Sequence, residues 1–365
     1  MKTTGGRVLQ LAVAGAGVIG RRHIELIQAC PATQLCAVVD PAPASREFAV
    51  SLGVAYFTDL ESMFDALRDG QIEVHGVILA TPNALHVPGA LLCAQNKVPA
   101  LIEKPVADSL EAGQRLADAL RGVDVPMLVG HHRRHSSTLQ LARRAIEGGE
   151  MGRVVTVMGS AQFYKPDSYF AQGEWRRQPG GGPILINLIH EMDNLRYLCG
   201  EVASVHAVAS NAVRRFAVED TVVMTLVFAS GALGTFTLSD TAASPRSWEQ
   251  TSGENAMYPR YPSEDCYFVA GTRGSLAVPT LRTWSYPDDG PEPGWATPFT
   301  ENNLSPDPAS VVDPLAAQLL HFCDVITTRA APIITVSDAL QSLRVVEAVR
   351  RSIATGQPVA LSGLQ

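Results

Sequence analysis

Long apolar runs are missing from this chain, and so is any excess of basic charge. No segment reaches the roughly 18 consecutive apolar residues that a membrane-spanning helix needs. The run that starts at Val8 is short and broken by glycines, so it reads neither as a signal peptide nor as a span. A soluble, cytoplasmic protein with no membrane partner is expected. Lysine and arginine number 29 against 36 aspartate and glutamate, a formal net charge of −7. Nucleic-acid binders usually carry a basic patch and a high pI, so no nucleic-acid partner is expected either. The six cysteines, Cys30, Cys36, Cys93, Cys199, Cys266 and Cys323, are scattered, with no C-x-x-C pair and no metal-like spacing. They read as reduced thiols in a core, and no metal is expected. Charged residues make up 18% of the chain and apolar ones 46%, so a large core is easy to build, and 365 residues favour two domains.

Periodicity divides the chain in two. Short apolar runs at 8–14, 35–40, 55–57, 76–81, 100–104 and 126–130 read as buried strands. Helical spacing separates them at 18–29, 44–51, up to about Leu67 behind a Thr58–Asp59 cap, 84–95 and 108–120. Alternation of this kind predicts an α/β, doubly wound parallel sheet over residues 1–130. From residue 131 the pattern changes. Helices at 136–147 and 184–198 flank a strand at 154–163. Strand-like runs then follow at 202–210, 221–230, 232–240, 266–271 and 274–279, with turns and no helices between them. Residues 131–365 are therefore expected to form an α+β domain around an open, largely antiparallel sheet. Segments 244–263 and 286–308 read as long surface loops. Helices at 313–327 and 337–355 close the chain and are candidates to pack back on the first domain. An open sheet needs a cover on one face, and a second subunit is a candidate for it.

Gly15-Ala16-Gly17-Val18-Ile19-Gly20 is a G-x-G-x-x-G loop that follows a predicted strand and opens a predicted helix. In that setting it predicts a Rossmann dinucleotide site: Gly15 for the tight turn, Gly17 for approach of the pyrophosphate, and Gly20 for helix–strand packing. The N–H groups of Val18 and Ile19 at the helix start would hold phosphate. Asp40 ends the next strand, where a carboxylate accepts the ribose hydroxyls and repels a 2′-phosphate. NAD is therefore expected over NADP, with Arg46 nearby as a softening charge. Thr81, Pro82 and Asn83 follow the fourth strand and should line the cofactor crevice. His86, just inside the next helix, reads as a capping or surface residue more than as a ligand.

Glu103-Lys104-Pro105 ends the fifth strand. Together with AGAGVIG, ATPNALH, IEKPVA, GGGPILINLIHEMDNLRYL and the closing SLRVVEAVRRSIATGQPV, it makes the chain resemble the Gfo/Idh/MocA oxidoreductases over nearly its whole length. These are the relatives of glucose–fructose oxidoreductase and inositol 2-dehydrogenase. The resemblance implies a Rossmann domain followed by an α/β domain whose open sheet forms an oligomer interface, as a dimer or tetramer. It implies hydride transfer between a nicotinamide and a secondary alcohol of a sugar, cyclitol or cyclic diol. It places Glu103 and Lys104 at the cofactor, with Lys104 beside the reacting hydroxyl, and maps the family's catalytic histidine to His190. Histidine titrates near neutrality and suits the removal of a hydroxyl proton, while a lysine can stabilise the developing alkoxide. A lysine base is the alternative assignment.

The sequence departs from the family at one position. Many members carry an aspartate four residues before the histidine, and here that residue is Ile186. Asn187, His190 and Asp193 form a polar stripe on an otherwise apolar helix, facing either substrate or polar neighbours. Tyr164, Trp175, Arg176 and His132 are further substrate-binding candidates. The cluster His131-His132-Arg133-Arg134 has the cationic groups to recognise a carboxylate or hydroxyls. Three readings compete: a polyol dehydrogenase, a dihydrodiol dehydrogenase acting on a carboxylated cyclic diol, and a nicotinamide-binding sensor without turnover.

Overall fold

The computed structural model describes residues 7–287, 290, 292–307 and 311–364. The chain divides into two compact units, one of residues 1–132 with 315–343 and one of residues 133–314 with 344–365. The first unit opens with β1 (Leu9–Ala14), α1 (Val18–Ala29), β2 (Thr33–Val39), α2 (Pro43–Ser51), β3 (Ala55–Phe57) and α3 (Leu60–Arg68). It continues with β4 (Gly76–Leu79), α4 (His86–Gln95), β5 (Ala100–Ile102), α5 (Leu110–Ala119) and β6 (Met127–Val129). The six strands form one parallel sheet in the order β3-β2-β1-β4-β5-β6. The order reverses at β1/β4, the switch point at which open α/β sheets bind ligands. Strands covered on both faces must be apolar throughout, and β4 and β5 are buried at every position. Asp59 caps α3 as its sequence suggested, accepting from the Ser62 N–H at 2.8 Å.

The second unit contains α6 (Ser137–Glu147), β7 (Val154–Gln162), α7 (Asp167–Ala171), α8 (Ile189–Cys199), β8 (Val202–Ser210), β9 (Thr221–Phe228) and β10 (Leu233–Ser239). Next come α9 (Trp248–Thr251), β11 (Tyr267–Gly271), β12 (Gly274–Val278), β13 (Arg282–Ser285) and β14 (Thr300–Asn303). Helices α10 (Pro314–Thr328) and α11 (Val336–Thr355) and the short β15 (Val359–Ala360) complete the order. Nine strands form one mixed sheet, β14-β13-β12-β11-β7-β10-β9-β8-β15. Among the described residues only the β7–β10 pair of this sheet is parallel. Leu319, Phe322 and Cys323 of α10 belong to the same core as Leu11, Ile27 and Leu101, all in the first unit.

The fold class agrees with the expectation, with three local differences. Segment 286–308 is not loop throughout: β14 forms in it and pairs with β13 at the sheet edge. Its sequence, Thr-Glu-Asn-Asn, is exposed at all four positions, so it pairs through the backbone and shows no apolar alternation. Segment 244–263 likewise contains α9, held by the Ser247 side chain accepting from the Gln250 N–H. The helix expected over 184–198 starts as a π-helical turn, Ile184–Leu188, before α8. Such turns are rare and concentrate at functional sites.

Candidate active site

The glycine loop is built to receive an anion. Gly15 adopts φ +91°, and a Cβ there would lie 2.4 Å from the Ala80 oxygen. A Cβ on Gly20 would lie 1.9 Å from the Gly15 oxygen, so α1 can approach β1 and β4 this closely only without a side chain. Gly17 differs, because a Cβ on it would meet nothing within 4 Å. Space is therefore open above the backbone where a pyrophosphate would approach. Helix α1 has no side-chain cap and no acidic residue in its first turn. Its hydrogen-bond ladder starts with the Arg21 N–H donating to the Gly17 oxygen, so the N–H groups of Val18, Ile19 and Gly20 precede it. Thr81, just past β4, has a buried side-chain oxygen with no hydrogen-bond partner among the described residues. Pro82 and Asn83 beside it are exposed. An open cradle, uncapped N–H groups and an orphaned hydroxyl at the switch point fit a dinucleotide.

Asp40 follows β2 as expected. Its Oδ2 accepts from the Ala16 N–H at 2.7 Å, inside the glycine loop, and its Oδ1 accepts from the Ala42 N–H at 2.8 Å. The carboxylate thus also shapes the loop, and each oxygen keeps a second lone pair for a ribose hydroxyl.

Lys104 follows β5 on a pinned segment. Glu103 faces inward, so any part it takes in cofactor binding is indirect. Its Oε1 accepts from His23 Nε2 at 2.8 Å, and its Oε2 accepts from the Lys104 N–H at 3.1 Å. Burial pushes this carboxyl up, but the His23 hydrogen bond and the charges of His23, Lys104 and His132 outweigh burial and hold it at about 2. His132 opens a 3-10 turn, His132–His135. His86 is neither cap nor surface: it is 1% exposed, with Nδ1 on the Pro105 carbonyl at 2.7 Å and Nε2 on the Thr81 carbonyl at 2.9 Å. His23 was not recognisable from the G-x-G-x-x-G motif alone. It does share the buried stripe of α1 with Gly20, Ile24 and Ile27, and a histidine on such a stripe was the available signal.

His190 lies on α8, which is buried at ten of its eleven positions. A helix buried on nearly every side must pair its polar groups internally. Asp193 takes both arms of Arg134, at 2.8 and 2.9 Å, so its part in the polar stripe is an internal ion pair. Arg133 donates to Glu191 and to Glu249, each at 2.6 Å, and Tyr267 donates to Glu191. These guanidinium groups are paired with carboxylates of their own unit, where the sequence alone offers them to a substrate carboxylate or hydroxyls.

Asn187, in the π-helical turn, accepts from Lys165 Nζ at 2.8 Å. A lysine only donates, so the amide oxygen faces Lys165 and the amide N–H groups face away from it. Burial lowers the Lys165 pKa against the charge of Asp240, whose Oδ2 is 3.7 Å away. Tyr164 is exposed just beyond the end of β7, with Arg214 over its ring. Trp175 and Arg176 occupy a 3-10 turn, Glu174–Arg177, where Arg176 stacks on Tyr169 at 3.9 Å. No cluster of metal-ligating side chains occurs among the described residues.

A parallel switch-point sheet with an uncapped glycine-loop helix is the architecture of a dinucleotide-binding protein, here in one chain with an open mixed sheet. The chain belongs to the Gfo/Idh/MocA family: residues 9–131 match its NAD-binding Rossmann fold and residues 143–361 its C-terminal alpha/beta domain. It is 27% identical to scyllo-inositol 2-dehydrogenase (NAD(+)) of Bacillus subtilis over 362 residues, covering 97% of this chain and 96% of that protein. Among solved structures it is similar to the WlbA dehydrogenase of Bordetella pertussis in complex with NADH and UDP-GlcNAcA, with TM-score 0.75 and 25% identity over 97% of this chain and 99% of that one. An oxidoreductase of Agrobacterium radiobacter in complex with NAD+, L-tartaric acid and magnesium shares the fold, with TM-score 0.78 and 21% identity over 98% and 100% of the two chains. No described helix is long and apolar enough to cross a membrane.

Proposed function

We propose that the protein oxidises a secondary alcohol of a sugar, cyclitol or related polyol, with NAD as hydride acceptor. The observation that carries this reading is Lys104, pinned just past β5 on the sheet that also bears the glycine loop. On this reading residues 1–130 hold the cofactor and residues 131–365 the substrate and the subunit contact. NAD, held by the glycine loop and Asp40, would supply the acceptor for the hydride of the alcohol carbon. The Lys104 ammonium holds the alcohol oxygen and stabilises its charge, and His190 takes the hydroxyl proton. The Asn187 amide, turned by Lys165, offers N–H donors to a substrate oxygen near His190, in place of the acceptor that an aspartate at 186 would supply. The name of the inositol dehydrogenase relative supports a polyol substrate.

A neutral polyol is favoured over a carboxylated cyclic diol because Arg133 and Arg134 are already ion-paired. The exposed Met158, Val208, Val223, Val227 and Leu233 on one face of the mixed sheet support a homo-oligomer through that sheet, as a dimer or tetramer. The test is formation of NADH from NAD+, and of NADPH from NADP+, over a panel of sugars, cyclitols and cis-diols, some carboxylated. Turnover on neutral polyols that is lost in Lys104→Ala and His190→Ala supports the reading. Cofactor binding with no turnover on any substrate supports the sensor instead and sinks it.

A further inference from the structure

We propose that His23 is a positioning residue for Lys104, acting through the Glu103 carboxylate and thereby tying the lysine to the helix that opens at the glycine loop. The inference rests on the proposed role of Lys104. Glu103 is 5% exposed and His23 is 1% exposed. An ionised carboxylate this deep persists only if its oxygens are bonded. One oxygen is held by the His23 ring N–H and the other by the N–H of Lys104 itself. The carboxylate therefore bridges α1 and the lysine's own peptide. His23 stands three residues after Gly20, which is packed against Gly15 without room for a side chain, so the helix cannot shift independently of the cofactor loop. On the far side of the lysine, the His86 ring lies between the Pro105 carbonyl, 2.7 Å from Nδ1, and the Thr81 carbonyl, 2.9 Å from Nε2, and donates to one of them. The Lys104 N–H is thus tied through Glu103 to the helix of the glycine loop, and the next residue packs against His86, which also touches the Thr81 carbonyl.

Stability alone does not require this arrangement, because an apolar pair of similar volume commonly replaces a buried ionic pair without loss. The bond from Glu103 to the lysine's N–H is what such a pair would forfeit. Without the His23 donor, the carboxylate must move or take up a proton, and the lysine's peptide loses its anchor.

The test compares His23→Gln, which keeps an N–H donor, with His23→Leu and Glu103→Gln in the full chain. Three quantities are read: kcat and KM for the best polyol, the Kd for NAD+, and the rate at which an acylating amine reagent labels Lys104, followed by peptide mass spectrometry. The expected result for His23→Leu is a kcat lowered about ten- to a hundredfold, the cost of displacing a reacting group by about 1 Å. Its Kd for NAD+ should stay within about threefold of wild type, and Lys104 should label at a clearly different rate. His23→Gln should recover most of both losses. If His23→Leu does not fold, Glu103→Gln gives the same comparison against His23→Gln. A folded His23→Leu with wild-type kcat and wild-type labelling overturns the proposal, as does a His23→Gln no better than His23→Leu at equal thermal stability. Absence of turnover in the wild-type protein would sink the polyol reading instead, and the labelling arm would still decide the role of His23.

Discussion

At the scale of single residues, charge placed in a buried setting has consequences that can be measured. Lys104→Ala removes the group that holds the alcohol oxygen. We expect kcat to fall by about two orders of magnitude or more, with NAD+ binding retained, as steady-state kinetics and a fluorescence titration of NAD+ would read. Glu103 yields a second prediction, about stability. Its carboxyl is held at about 2 in the fold against an ordinary 4.5. The ionised form is thus favoured in the native state. Its contribution is complete above the ordinary value and is lost as pH falls from there toward the lowered one. A shift of this size corresponds to about 3 kcal/mol. Urea midpoints of wild type should therefore decline more steeply on acidification than those of Glu103→Gln. Parallel curves for the two would count against an ionised Glu103.

At the scale of elements, the start of α1 permits a contrast between two glycines. Gly20→Ala puts a Cβ against the Gly15 oxygen, so the helix must shift, and a lower Tm with lost NAD+ binding is expected. Gly17→Val places its side chain in open space. The fold and Tm should be kept while NAD+ binding weakens by about tenfold or more, because the pyrophosphate approach is filled. Calorimetry of both variants with and without NAD+ checks this, and a Gly17→Val protein that binds NAD+ normally would remove the cradle from the site. These elements were readable in advance because buried parallel strands and amphipathic helices repeat over a few residues. Helix α1 was expected over 18–29 and spans Val18–Ala29. The misread segments lack that local signal. Strand β14 is polar at every position, and the π-helical turn before His190 is an ordinary apolar stretch in sequence, so Ile186 and Asn187 were assigned to one regular helix.

At the scale of the whole molecule, the mixed sheet sets the last prediction. Strand β9 alternates buried and exposed positions, and Val223 and Val227 are on its exposed side. Met158, Val208 and Leu233 occupy exposed positions on the same face of β7, β8 and β10, interleaved with threonines, a mixed face that a subunit contact can bury. Val223→Glu combined with Leu233→Glu should shift the sedimenting species toward the monomer in analytical ultracentrifugation. An unchanged mass would place the contact elsewhere or exclude it.

The sequence by itself determined the parallel sheet and its strand–helix alternation, the glycine loop with Asp40, and the position of Lys104 after β5. Each of these depends on residues close together in the chain. Only the tertiary structure decided which charges remain available. His23 meets Glu103 across 80 positions, Arg133 meets Glu191 across 58, and Arg133 meets Glu249 across 116. A charged side chain names no partner in sequence. Among many carboxylates, the one it meets is set by which elements pack together, because a buried charge persists only beside a group that satisfies it. For that reason the arginines after β6 read as a substrate-binding cluster in the sequence and are paired within their own unit in the fold. For the same reason His86 reads as a cap or surface residue in the sequence and His23 has no role there, while the fold buries both beside their acceptors.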